Sequence, residues 1–243
     1  MKIIESASEM QQTALALRAQ GRRIGFVPTM GHLHDGHLSL VRIAKQRADV
    51  VVVSIFVNPT QFGPNEDFAA YPRTFAADRA LCEAEGVDLV FYPSVPDMYP
   101  AGASVSVTEN SLSRTLCGAA RPGHFDGVCT VVAKLFNIVL PHVAVFGEKD
   151  AQQLRVVRRM VRDLRFPVDI VSGPTAREPD GLARSSRNQY LTAEQRPQAV
   201  CLRRALAEAE RRFAAGERDP AALVAAMRAV VAQAPAAKID YIA

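Results

Sequence analysis

Tryptophan is absent from the 243 residues, aromatic residues together make up 7%, and only four cysteines occur. Cys82, Cys117, Cys129 and Cys201 are widely spaced, with no C-x-x-C pair and no zinc-type spacing. That excludes a disulfide-stapled scaffold and reads as reduced thiols. Long apolar runs are also missing. The apolar stretches are interrupted by Ser54, Lys134 or Asn137, and Met1 to Glu5 contains no apolar signal core, so neither a membrane span nor a secretory leader is expected. A reducing cytoplasm is the default compartment. Nor is there an excess of one charge. Lys plus Arg (29) against Asp plus Glu (25) gives +4 with no block of five like charges, too little clustering for a nucleic-acid partner.

What remains is ordinary globular material, 49% apolar and 22% charged. At roughly 150 residues per domain, the chain holds one large domain or two modest ones. Short β-branched runs alternate with helical patterns. Strands are predicted at 23–27, 50–57, 88–92, 142–146 and 168–171, with helices at 36–48, 76–85, 125–139 and 151–164 between them. The run Val50 to Val57 is apolar almost throughout, as in a parallel strand covered on both faces. Residues 93–121 are a polar detour with one alternating stretch, 104–108, expected as a small edge strand. Repeated β-α-β units imply an α/β fold, a Rossmann-like parallel sheet with helices on both faces. After residue 176 the composition turns Ala-, Arg- and Glu-rich, predicting helices at 192–216 and 219–233 and a terminal strand from Lys238 to Ile242. We therefore expect a domain at 1–176 and a smaller α+β domain at 177–243.

The chemistry starts after the first predicted strand, at Pro28-Thr29-Met30-Gly31-His32-Leu33-His34-Asp35-Gly36-His37. A strand-to-helix turn directs backbone N–H groups and the positive helix end at a docked anion, and glycines at 31 and 36 permit close approach. His34 and His37, three residues apart, can converge on one bound group and donate to phosphate oxygens. The same H-x-H-x-x-H spacing is open to a zinc reading, although no cysteine or remote fourth ligand accompanies it. His32 also reads as an ordinary loop residue. Asn58 and Gln61, just past a buried strand, offer uncharged amides to hydroxyl and carboxylate oxygens of a small acid. Lys149 and Asp150 lie in a second strand-to-helix turn and are equally compatible with a solvated helix start.

The segment Met30 to His37 resembles the H-x-G-H signature of the nucleotidyltransferase superfamily. Further segments narrow the resemblance: Val57-Asn58-Pro59-Thr60-Gln61-Phe62-Gly63, Tyr71-Pro72-Arg73-Thr74, Arg121-Pro122-Gly123-His124-Phe125-Asp126-Gly127-Val128, Phe146-Gly147-Glu148-Lys149-Asp150 with Gln152-Gln153, and Gly181 to Asn188. Together they resemble the pantothenate synthetase (pantoate–β-alanine ligase) family, in its order and spacing and over essentially the whole chain.

The resemblance implies ATP-dependent condensation of pantoate with β-alanine to pantothenate, through a pantoyl adenylate, with release of pyrophosphate and AMP. It places ATP on Met30, Gly31, His32, Leu33, His34, Asp35, Gly36 and His37, on Gly147, Glu148, Lys149 and Asp150, and on Ala176, Arg184, Ser185, Ser186 and Arg187. The last three correspond to a mobile loop that closes over the triphosphate. Gln61 and Gln153 are assigned to pantoate, with Asn58 beside them, and His124 to shaping that side. His37, His34, Lys149 and Arg187 would carry the chemistry with Mg²⁺, and no residue is singled out as a metal ligand. A homodimer is implied, and the 177–243 domain would act as a lid. Three features depart from the family pattern: Arg184 in place of an apolar residue, Ala151 in place of a larger one, and a last residue, Ala243, earlier than usual, which implies an incomplete lid. Two other functions stay open on the residues alone. A nucleotidyltransferase for a different acceptor would release pyrophosphate without pantoate, and a non-catalytic nucleotide-binding module would show no turnover.

Overall fold

The computed structural model describes residues 1–243. Six strands form one sheet in the order β1-β4-β3-β2-β5-β6. They are β1 (Lys2–Ile4), β2 (Ile24–Thr29), β3 (Val50–Ile55), β4 (Leu89–Phe91), β5 (Val143–Gly147) and β6 (Asp169–Gly173). Every pairing is parallel. The helices are α1 (Ala7–Ala19), α2 (Asp35–Lys45), α3 (Phe75–Ala84), the one-turn α4 (Val95–Met98) and α5 (Cys117–Ala120), α6 (His124–Val139), α7 (Ala151–Asp163), α8 (Cys201–Ala214) and α9 (Pro220–Val231).

Alternation along the strands sorts the core into two layers. Phe26, Val52, Phe91, Ala144 and Phe146 face one side, where they meet Met10 and Ala14 of α1, Val132 and Phe136 of α6 and Val157 of α7. Val27, Val51, Val53, Val90 and Val145 face the other, against Leu40, Val41 and Ala44 of α2 and Cys82 of α3. All six residues of β3 are buried, which its unbroken apolar run requires. Gly25 lets α2 approach β2 closely, since a Cβ there would stand 3.3 Å from Ala44 O.

The strand order places β2 between β3 and β5. From β2 the chain runs outward through β3 and β4, then returns to β5 on the other side of β2. The carboxyl ends of β2 and β5 therefore flank the point where the topology reverses, the usual ligand crevice of doubly wound sheets.

Four local expectations are corrected. β1 and α1 form where no element was read, because β1 is three residues long and α1 fully buries only Met10 and Ala14. Residues 104–108 are not a strand; instead Val107 N–H donates to Thr130 Oγ1 at 3.0 Å, fastening this segment to α6 rather than to a sheet edge. The helix expected from 192 begins at Cys201, because the preceding residues form turns around Thr192 and Pro197 and a short 3₁₀ segment, Gln198–Val200. Residues 238–242 form no strand, having no strand to pair with there; Ile242 instead packs on the α8–α9 core of Cys201, Ala205, Val231 and Ala234.

The chain divides into two compact units, Met1–Thr175 and Ala176–Ala243. No helix is long and apolar enough to cross a membrane.

Candidate active site

The histidine segment leaves β2 through two consecutive left-handed residues, Gly31 (φ 85°) and His32 (φ 50°), and enters α2 at its N-cap, His34. His34 Nδ1 accepts from Gly36 N–H at 3.1 Å, and His37 Nδ1 accepts from His34 N–H at 3.3 Å. The rings lie 4.1 Å apart, tilted by 35°. With each Nδ1 acting as an acceptor, each neutral imidazole carries its proton on Nε2. Capping α2 and setting both histidine tautomers are thus one arrangement.

His37 is partly exposed by area but densely surrounded. Burial, followed by the charges of His34, Lys149 and His32, lowers its pKa from the ordinary 6.5 to about 3. At neutral pH it is an uncharged donor. The parallel pairing of β2 with β5 brings the β5–α7 turn to the same end of the sheet as the histidine turn. That turn runs from Gly147 through a 3₁₀ segment, Glu148–Asp150, into α7, with Lys149 Nζ 3.5 Å from Asp150 Oδ1. The switch point therefore brings together His34, His37 and Lys149.

Backbone amides contribute less than the sequence suggests. Gly31 N–H donates to Thr29 Oγ1 (3.1 Å), His32 N–H to Asp78 Oδ2 (2.9 Å) and Leu33 N–H to Asp78 Oδ1 (2.7 Å), while His37 N–H returns to His34 O (2.7 Å). The turn consumes these donors to hold its own shape. Asp78, from α3, escaped the sequence reading altogether.

Asn58 is buried and acts as a hub beyond β3. Its Oδ1 accepts from Tyr99 Oη (2.8 Å) and Thr60 Oγ1 (2.9 Å), and its Nδ2 donates to Gln61 Oε1 (3.1 Å) and Gly127 O (3.2 Å). All of these bonds are made within the protein, and one of them orients Gln61. With Oε1 held by Asn58, Gln61 donates through Nε2 to Met30 Sδ at 3.2 Å. Arg121, just after α5, and His124, the first residue of α6, fix the same loop. Arg121 pairs with both Glu66 oxygens (2.7 and 2.5 Å), its Nη1 lies 3.0 Å from His124 Nε2, and His124 Nδ1 donates to Gln61 O at 2.8 Å. The Arg121 hydrogen bond holds Glu66 below the usual carboxylate range. Burial lowers the pKa of His124, the hydrogen bond to Gln61 opposing it.

Gln153 is half-buried in the first turn of α7. Its neighbour Gln152 is structural: its Nε2 donates to Leu112 O and Thr115 O, and its Oε1 accepts from Cys117 N–H. Ala151 is exposed and is the first residue of α7.

In the second unit, a hairpin brings Ala176 and Arg184 together, with Arg184 N–H donating to Ala176 O at 2.9 Å. The Arg184 guanidinium lies 3.4 Å from Glu178, so the cation at this position has a carboxylate partner of its own. Ser185 Oγ accepts from Arg187 N–H at 3.3 Å, Ser186 is buried and Arg187 is exposed. All four cysteines are free; burial, with nearby carboxylate charge, drives the Cys82 and Cys129 thiols up to about 12, which makes both poor nucleophiles.

Two strand-to-helix turns, one holding paired Nε2–H imidazoles and the other a lysine, at the switch point of a doubly wound sheet define an α/β protein equipped for an anionic ligand. Comparison with known proteins identifies which one. The Pantoate-beta-alanine ligase family profile matches residues 2–243, and the chain belongs to that family; it is a ligase. The pantothenate synthetase of Thermotoga neapolitana is 59% identical over 242 residues, covering 100% of this chain and 86% of that one. The crystal structure of pantothenate synthetase from Thermus thermophilus superposes with a TM-score of 0.93 at 48% identity, covering 99% of this chain and 86% of that one. The pantoate-beta-alanine ligase of Francisella tularensis, complexed with beta-gamma ATP and beta-alanine, gives 0.82 at 37% identity, covering 95% and 86%.

Proposed function

We propose that the protein condenses pantoate with β-alanine to form pantothenate, using ATP to activate the carboxylate. The observation that carries this reading is the switch point at the carboxyl ends of β2 and β5, which gathers the His34 and His37 imidazoles, each with its proton on Nε2, and the Lys149 cation; Gln61, held through Oε1 by Asn58, supplies an amide from the loop after β3. A carboxylate is a poor acyl donor because its leaving group would be oxide, so it must first be esterified. A pantoate carboxylate oxygen attacks the α-phosphorus, the bond to the β-phosphate oxygen breaks and pyrophosphate leaves. The β-alanine amine then attacks the acyl carbon, the C–O bond breaks and AMP departs with that oxygen.

The site's contribution is positioning and absorption of charge. His34 and His37 donate Nε2–H to phosphate oxygens as charge builds. Neutral His37 acts as a hydrogen-bond donor without transferring its proton. Lys149 offers a compact cation, and Met30, Gly31, His32, Leu33, Asp35 and Gly36 shape the nucleotide wall with Gly147, Glu148 and Asp150. Gln61 and Gln153 hold pantoate. By family resemblance, Ala176, Arg184, Ser185, Ser186 and Arg187 are read as nucleotide-binding residues, and the second unit as a lid. No group of three His, Cys, Asp or Glu side chains is arranged to hold a metal. Mg²⁺ fits as an ion carried by the triphosphate, since it favours phosphate oxygens and retained water, and it would neutralise charge on the leaving group. The enzyme is read as a cytoplasmic homodimer, by its family.

Pantoate labelled with ¹⁸O in its carboxylate tests the route. One label should appear in AMP, and unlabelled AMP would reject the acyl adenylate.

A further inference from the structure

Asp78 is the one buried carboxylate in the chain, 2% exposed. Its acceptors are taken by neutral donors: His32 N–H (2.9 Å), Leu33 N–H (2.7 Å) and Thr74 Oγ1 (3.3 Å). Thr74 Oγ1 also lies 3.3 Å from His32 Nδ1. Buried charge is costly unless well bonded, and a carboxylate holds amide N–H groups more strongly than a neutral acceptor can. Here both oxygens grip consecutive amides of a loop whose residues 31 and 32 have left-handed backbones. The fit leaves no slack, since a Cβ at Gly31 would stand 3.0 Å from Asp78 Oδ2.

The consequence lies one residue further on. Turning the amides of His32 and Leu33 toward α3 fixes where the chain enters α2, and so where the backbone N–H groups of Gly36 and His34 set the tautomers of the His34 and His37 rings. We infer that Asp78 is a positioning residue for the nucleotide half of the reaction, acting through the histidine loop without touching substrate. The inference rests on the function proposed above, yet part of its test is independent of it.

Asp78→Asn keeps the shape while placing an NH₂ group against a backbone N–H. Three quantities are read: KM for ATP and for pantoate in pyrophosphate exchange, far-UV circular dichroism, and the ¹⁵N signals of the His37 ring. We expect native secondary structure, kcat/KM for ATP lower by about 10- to 100-fold, and pantoate KM within about twofold, in line with losing a hydrogen bond to a charged group. The His37 ring should lose its pure Nε2–H signature. Equal losses for both substrates, or a folded variant with unchanged ATP kinetics and unchanged ring signals, would overturn the inference. If Asp78→Asn does not fold, Thr74→Val removes only the hydroxyl and should give the same ATP-selective change, about threefold; no change there would count against it. Wild-type protein lacking exchange would reject the proposed function alone, because the ring signals still report on Asp78.

Discussion

Gly127→Ala should damage pantoate use while leaving ATP binding nearly intact. A Cβ at this position, in the first turns of α6, would stand 2.2 Å from Thr60 O and 2.6 Å from Gln61 N, where real contacts essentially never fall under 3.0 Å. The obstacle is backbone, so a rotamer change cannot relieve it. The loop carrying Gln61 must retreat by about 0.8 Å or more, a displacement comparable to the 1 Å that costs about a hundredfold when reactants are misplaced. The retreat also stretches the Asn58 bond to Gly127 O, and with it the grip on Gln61. Overpacking costs about 1–3 kcal/mol. Replacing a helical glycine by alanine returns about 1 kcal/mol, so the net destabilisation is about 0–2 kcal/mol and the variant should fold. Steady-state kinetics should show kcat/KM for pantoate falling about 10- to 100-fold, with ATP KM within about twofold. Unchanged pantoate kinetics in a folded variant would refute this account of the loop.

Other consequences are equally direct. His37→Ala should preserve the fold yet slow adenylate formation by about 10²–10³-fold, the scale for losing a preorganised donor; single-turnover rates near wild type would contradict its role. Because the His37 pKa lies at about 3, the free-enzyme kcat/KM for ATP should show no His37 limb between about pH 5 and 8. In the unfolded chain this histidine titrates near the ordinary 6.5, so its contribution to stability is present above that pH and is lost as pH falls toward 3. His37→Gln should therefore flatten acid destabilisation in that window, as followed by thermal melts. A double-mutant cycle of Arg121→Ala and Glu66→Ala should give a coupling of about 0.5–2 kcal/mol, above an ordinary surface pair because the bond is bidentate and partly buried, and both single variants should raise pantoate KM.

Legibility in the sequence followed the range of the interactions. The sheet could be read because β-branched runs such as 50–55 report burial locally, and the histidine turn because glycines and histidines announce an unusual backbone within ten residues. Asp78 could not be read: a lone carboxylate on an amphipathic helix looks solvent-facing, and its partners at 32 and 33 lie some 45 residues earlier. The role of Asn58 was similarly hidden. Its residue type suggests a ligand contact, whereas its bonds to Tyr99 and Gly127, both distant in sequence, cannot be read from the chain. Alternation at 104–108 misled because the pattern describes a half-buried extended chain, and a strand also requires a neighbour. α1 lacks a strong apolar stripe, so only tertiary packing of Met10 and Ala14 reveals it.

The central claim is that this site activates pantoate by adenylation. Exchange of labelled pyrophosphate into ATP, measured with pantoate present and β-alanine omitted, tests it most directly. The account predicts exchange that requires pantoate and is abolished in the His37→Ala variant. Exchange independent of pantoate, or none in an enzyme that still forms pantothenate, would contradict it.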